Sequence, residues 1–268
     1  MKATAWIAVN VFRESVRDKV LYNLVLFAIL MMASSYLIGQ LTAGQDIKII
    51  KDLGLGAISI FGLFIAVFIG IGLVSKEVER RSIYSLLSKP IRRYQLVVGK
   101  YAGLLLTLAV NIAIMVAALY VVLAYMQWMA PGAMLEALDG PALDPRMLKA
   151  VVLIFAQLSI VTAIALFFST FSGPMLSASF TLGFYVAGHF SADLKNFDMV
   201  LDNRGAVLIA RGMYWILPNL APFDVKAQVV HAQAVPLGYM ALTLLYGAAY
   251  IAVLVTMAVM IFSRRDFK

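Results

Sequence analysis

Long apolar runs without charge, separated by shorter polar stretches, set the pattern of this chain. They cover about 20–39, 55–74, 101–126, 148–169, 175–189 and 237–262. A helix needs about 20 residues to cross roughly 30 Å of hydrocarbon. In lipid every backbone N–H and C=O must be satisfied within the protein, so the runs are expected to be helices. The pattern predicts a single all-α integral membrane domain over 1–268, with six transmembrane helices. The first run follows Arg13, Glu14, Arg17, Asp18 and Lys19 and is long for a signal core, so it reads as a retained span.

Between the runs, the polar stretches differ in kind. Trp6, Val9, Phe12 and Val16 recur at helical spacing, with Asn10, Arg13, Glu14 and Arg17 on the other side. This fits an amphipathic helix lying in the membrane interface, or a frayed tail. The 127–146 loop holds the breakers Pro131, Gly132, Gly140, Pro141 and Pro145. Ser172-Gly173-Pro174 makes a tight break before the fifth run. The 191–236 segment is long for a membrane-protein connection. Within it, 206–217 is mostly apolar around Arg211 and ends at Pro218, which fits either a surface helix or one dipping into the bilayer.

Composition sharpens the membrane reading. The chain is 63% hydrophobic and 13% charged, against about a quarter charged in soluble domains. Its net charge of +8 reads as topology. Lys2, Arg13, Arg17 and Lys19 lie before the first run, and Lys76, Arg80, Arg81, Lys89, Arg92, Arg93 and Lys100 lie between the second and third. The other side is nearly neutral. Lys and Arg gather on the cytoplasmic side, so both termini are expected there. Cysteine is absent, which excludes a disulfide framework, a thiolate metal site and a catalytic thiol.

The spans also exclude chemistry. No Asp, Glu, Lys or Arg falls in the middle of a run, which argues against an ion-coupled carrier or a proton relay. The chain has no GxxxxGK[ST] phosphate loop, so any ATP hydrolysis belongs to another subunit. With His189 and His231 alone and no HExxH pair, no metal site is expected. Asn111, Gln157, Thr162 and Ser179 are the candidate lining of a pathway. Their alternative role is helix–helix hydrogen bonding. Gly99 and Gly103 have the spacing that lets helices approach closely.

The most charged stretch, 75–100, predicts a helix that continues the second run below the membrane through Leu87. Glu77 and Arg81 are spaced i,i+4. Pro90 breaks the helix at Lys89, and a second helix starts near Tyr94. From charge alone this is either an ordinary positive loop or a rigid helical elbow for a cytoplasmic partner.

This stretch resembles the ABC-2 family of permeases, in which the second span ends in a Glu-rich segment, a Leu-Leu-Ser-x-Pro-x-x-Arg turn and a Gly-Lys. The matching residues are Glu77, Glu79, Leu86, Leu87, Ser88, Pro90, Arg93, Gly99 and Lys100. Arg81-Ser82 stands where the family often has Gly-Thr. Phe12-Arg13-Glu14 with Arg17-Asp18-Lys19 is similar to the family's elbow helix. Leu217-Pro218-Asn219-Leu220 with Phe223-Asp224 resembles its outer segment, and the 262–267 ending resembles its terminus. The resemblance covers nearly the whole chain.

The resemblance implies a non-catalytic permease in a bacterial inner membrane. It pairs with a second permease, usually its own copy, and binds a cytoplasmic ATPase that holds ATP and Mg. The loop between spans two and three would be the coupling helix, with Glu77, Glu79, Arg80, Arg81, Leu86, Leu87, Pro90 and Arg93 facing the ATPase. Family members carry a re-entrant segment before the last span. The implied function is export of a hydrophobic or amphipathic substrate. The alternatives are force transmission to a periplasmic partner and support of metalloenzyme maturation.

Overall fold

The computed structural model describes residues 2–40, 46–79, 92–129, 143–191, 212, 214 and 216–264. Its elements are α1 (Lys2–Val16), α2 (Lys19–Gln40), α3 (Asp46–Glu79), α4 (Arg93–Met129), α5 (Met147–Ser169), α6 (Pro174–His189), a 3₁₀ turn (Ala221–Phe223), α7 (Lys226–Val230) and α8 (Leu237–Arg264). Among the described residues there is no strand. The long helices alternate in direction between two ends. The elbow end holds α1, the end of α3, the start of α4 and the end of α8. The loop end holds the start of α3, the end of α4, and α7.

Among the described residues, four segments are long and apolar enough to cross a membrane: Ile47–Ile71, Arg93–Met129, Met147–Ser169 and Leu237–Ser263. Lys19–Ser35 of α2 is apolar but shorter, and α6 has 16 residues. The expected runs all fall on helices, with one large difference. The second, expected from 55, lies in a helix that begins at Asp46. Asp46, Lys48, Lys51 and Asp52 read as a short polar loop in sequence. In the fold Lys51 is buried and attracted by Asp144, which lies just before α5. Gly54 admits the Leu119 side chain of α4. α4, with 37 residues, spans about 55 Å at 1.5 Å per residue and projects beyond any one bilayer core.

α5 is the centre of the bundle. It is buried nearly all round and packs on α3, α4, α6 and α8. Pro174 at the start of α6 and extended Gly173 before it reverse the chain at the elbow end. Phe168 packs there against Phe171, Phe180 and Phe184. α8 lies at the periphery, with Leu242, Leu245 and Val253 exposed.

The close approaches rest on small residues. A Cβ at Gly70 of α3 would lie 2.8 Å from the Ala165 Cβ of α5. A Cβ at Gly99 would lie 2.8 Å from the Ile7 Cβ, and one at Gly103 would lie 2.6 Å from the Ala8 carbonyl oxygen. The small-residue pair therefore seats α1 on α4. The face of α1 that packs is Thr4, Ile7, Ala8 and Val11. The apolar positions Trp6 and Val9 point away, with Trp6 70% exposed. α1 thus has one face for the bundle and one free face, the latter suited to a bilayer interface.

Replacing Gly103 by Val should force α1 off α4, at a cost of about 1–3 kcal/mol for overpacking. Thermal unfolding in detergent should show a lower midpoint, whereas Gly183→Ala, where nothing lies within 4 Å, should not.

Candidate functional site

Three polar regions stand out along the bundle. At the elbow end, Arg93 opens α4, and its Nη1 donates to the Ser263 carbonyl at 2.7 Å and to the Phe262 carbonyl at 3.5 Å. These carbonyls lie in the last turn of α8, so a guanidinium there complements the negative end of the helix. Arg93 thus ties α4 to α8. Glu77 and Glu79 lie on the last turns of α3. Arg80, Arg81, Leu86, Leu87 and Pro90 lie outside the described residues.

Midway along the bundle, the expected pathway residues separate. Asn111, Gln157 and Thr162 are buried, whereas Ser179 is exposed. Asn111 Nδ2 donates to the Thr107 carbonyl at 2.7 Å, and Thr162 Oγ1 to the Leu158 carbonyl at 2.8 Å, each within its own helix. Ser179 Oγ does the same toward Met175. Of the four, Gln157 is the one that bonds across to another helix. Its Nε2 lies 2.8 Å from His189 Nε2 on α6. His189 Nδ1 lies 2.9 Å from the Tyr185 carbonyl, so the proton belongs on Nδ1 and Nε2 accepts from Gln157. Tyr185 stacks edge-on against His189 and hydrogen-bonds Ser59 of α3. A polar layer therefore joins α3, α5 and α6. Among the described residues no three His, Asp or Glu side chains gather as metal ligands.

At the loop end, the chain after Ile216 folds into the bundle. Leu220, Phe223, Val225 and Val229 are buried, and Phe223 packs against Gly247 of α8. Three tyrosines of α8 hold this segment by its backbone. Tyr239 donates to the Pro222 carbonyl at 2.7 Å, Tyr250 donates to the Ile216 carbonyl at 2.8 Å, and Tyr246 accepts from the Asn219 amide at 2.8 Å. Leu220 N bonds the Gly188 carbonyl at 3.0 Å, closing the segment over α6. Arg146 and Lys149 reach the Ala232 and Val235 carbonyls at 3.0 and 2.9 Å. Of the 206–217 stretch, expected as a surface or re-entrant helix, most lies outside the described residues, and 212, 214 and 216 are helical.

Sequence reasoning missed the tyrosines and the Arg93 tie. A signal existed for the former: Tyr246 and Tyr250 are spaced i,i+4, so they share one face of α8. No local pattern marks the latter, because Arg93 and Ser263 are 170 positions apart.

Between α4, α5 and α8 lies an apolar cleft of about 450 Å³, lined by Tyr101, Phe155, Leu244, Ile251 and Val255 among others. Tyr101 donates across it to the Ser159 carbonyl at 3.0 Å.

Comparison with known proteins agrees with this architecture. The family model described as ABC-2 family transporter protein matches residues 5–267. No curated protein matches the chain.

Removing the Gln157 amide should leave His189 Nε2 unpaired, at a cost of about 1–2 kcal/mol. A double-mutant cycle of Gln157→Leu and His189→Phe, read by thermal unfolding, should show a coupling above about 0.5 kcal/mol. Additive effects would mean that the two side chains do not support each other.

Proposed function

The chain belongs to the ABC-2 transporter family, a multi-pass membrane subunit of an ABC transporter, and from that premise we propose that it is the permease half of an ATP-driven exporter. In this reading two copies pair, and six helices cross the bacterial inner membrane with both termini in the cytoplasm. A cytoplasmic ATPase binds each copy at the elbow end and supplies the ATP and Mg chemistry. The segment before α8 is a re-entrant outer gate.

The observation that carries the reading is continuity of the helices into the 80–92 connection. α3 runs unbroken from its apolar segment to Glu79, and α4 restarts at Arg93. A push on that connection acts on two long helices at once. Through Arg93 it also acts on the end of α8, and through Gly99 and Gly103 on α1. Arg93, expected to face the ATPase, is thereby given a second task, tying α8 to the coupling connection. The cleft between α4, α5 and α8 is almost wholly apolar, which supports a hydrophobic or amphipathic substrate.

Arg80, Arg81 and Leu86 changed together to Glu should abolish co-purification of the ATPase, which is expected to be encoded by a neighbouring gene. A cysteine introduced at Ser82 should resist labelling by a membrane-impermeant reagent added outside the cell. Labelling from outside would reverse the topology and end the proposal. Arg93→Gln should leave ATPase binding largely intact, because the other interface residues carry it, and lower export in proteoliposomes several-fold, because the link to α8 is cut. Loss of binding in that variant would assign Arg93 to the interface alone.

A further inference from the structure

α1 ends at Val16 and α2 begins at Lys19, so the chain turns sharply at Arg17-Asp18. Asp18 fixes the turn by accepting the Val20 amide at 3.0 Å. Between this elbow and α3 lies a cleft of about 520 Å³, within the range of ligand pockets. One part of its lining is polar, from Glu14, Ser15, Arg17, Asp18 and Lys19. The other is apolar, from Leu21, Leu24, Ile65 and Phe68.

Ser15 is the unusual member. It is 4% exposed, and its hydroxyl has no hydrogen-bond partner among the described residues. Other buried hydroxyls of this bundle bond a carbonyl on their own helix, as Thr107, Ser159 and Thr162 do. An unsatisfied buried hydroxyl costs about 1–3 kcal/mol, so its place in the lining of a cleft points to an acceptor supplied from outside the chain.

We propose that this cleft binds one phospholipid molecule whose headgroup carries both a phosphate and an amine. A phosphate oxygen accepts from the Ser15 hydroxyl and is balanced by Arg17 and Lys19, since charge-assisted hydrogen bonds to phosphate are strong. The Glu14 carboxylate faces the amine. One acyl chain lies along Leu21, Leu24, Ile65 and Phe68. A purely anionic headgroup would meet Glu14 and Asp18 without compensation. A soluble phosphate compound would leave the apolar wall uncovered. The bound lipid fills the angle between the elbow and α3. The proposal requires only that the chain lies in a membrane and is independent of export.

The test uses the full chain, delipidated in detergent and titrated with phosphatidylethanolamine, phosphatidylglycerol or soluble glycerophosphoethanolamine, with adducts read by native mass spectrometry. One phosphatidylethanolamine should bind, about tenfold more tightly than phosphatidylglycerol, and the soluble headgroup should not bind. The exposed pair Arg17→Gln and Lys19→Gln should weaken that adduct about tenfold, with helical content and elution volume unchanged. Leu24→Trp, which fills the apolar part, should remove it. Should Leu24→Trp fail to fold, the Arg17/Lys19 variant decides. Equal binding of the two lipids, binding of the soluble headgroup, or an adduct unchanged in the Arg17/Lys19 variant would overturn the proposal.

Discussion

In hydrocarbon, an apolar side chain gains little by leaving lipid for a neighbouring helix, so a membrane bundle depends on how closely its helices approach and on the few hydrogen bonds between them. Here the approach is set by small residues. Gly70 meets Ala165 where α3 crosses α5, and Gly99 and Gly103 let the α1 backbone lie against α4. α5 supplies the surface on which the others converge, which is why most of it is buried while α8 keeps a broad exposed face.

The same scarcity of driving force gives weight to the polar ties. Gln157 with His189, and Tyr185 with Ser59, join three helices across their middle. The α8 tyrosines grip backbone atoms of 216–222, not side chains. Such a grip places the segment without depending on its side-chain identities, and it leaves Leu220 and Phe223 free to fill the core. Arg93 makes the corresponding tie at the other end of α8. α8 is therefore held at its two ends by hydrogen bonds, while much of its middle faces outward.

Mechanically, this distribution divides the molecule. The elbow end gathers the start of α4, the end of α8 and the whole of α1 into one unit, adjoining the 80–92 connection. The loop end is closed by the 216–236 segment. The long helices α3, α4 and α8 run between these two ends.

The residues alone determined that this chain is helical and membrane-embedded, where most helices start and stop, and that α3 runs on past its apolar segment. Those features are local: run length and Pro174 act within a few turns of chain. The start of α3 was misjudged because Asp46, Lys48, Lys51 and Asp52 look like loop residues until Asp144, far along the chain, comes to meet Lys51. The outward face of α1 was legible from Trp6 and Val9, but not the face that packs, because Thr4, Ile7 and Ala8 become an interface only when Gly99 and Gly103 offer a groove. Likewise, Gln157 was singled out for being polar in an apolar run, and only the fold gave it His189 as a partner. Pairing between distant residues costs chain entropy that no local pattern records, so the tertiary structure alone decided which polar groups meet.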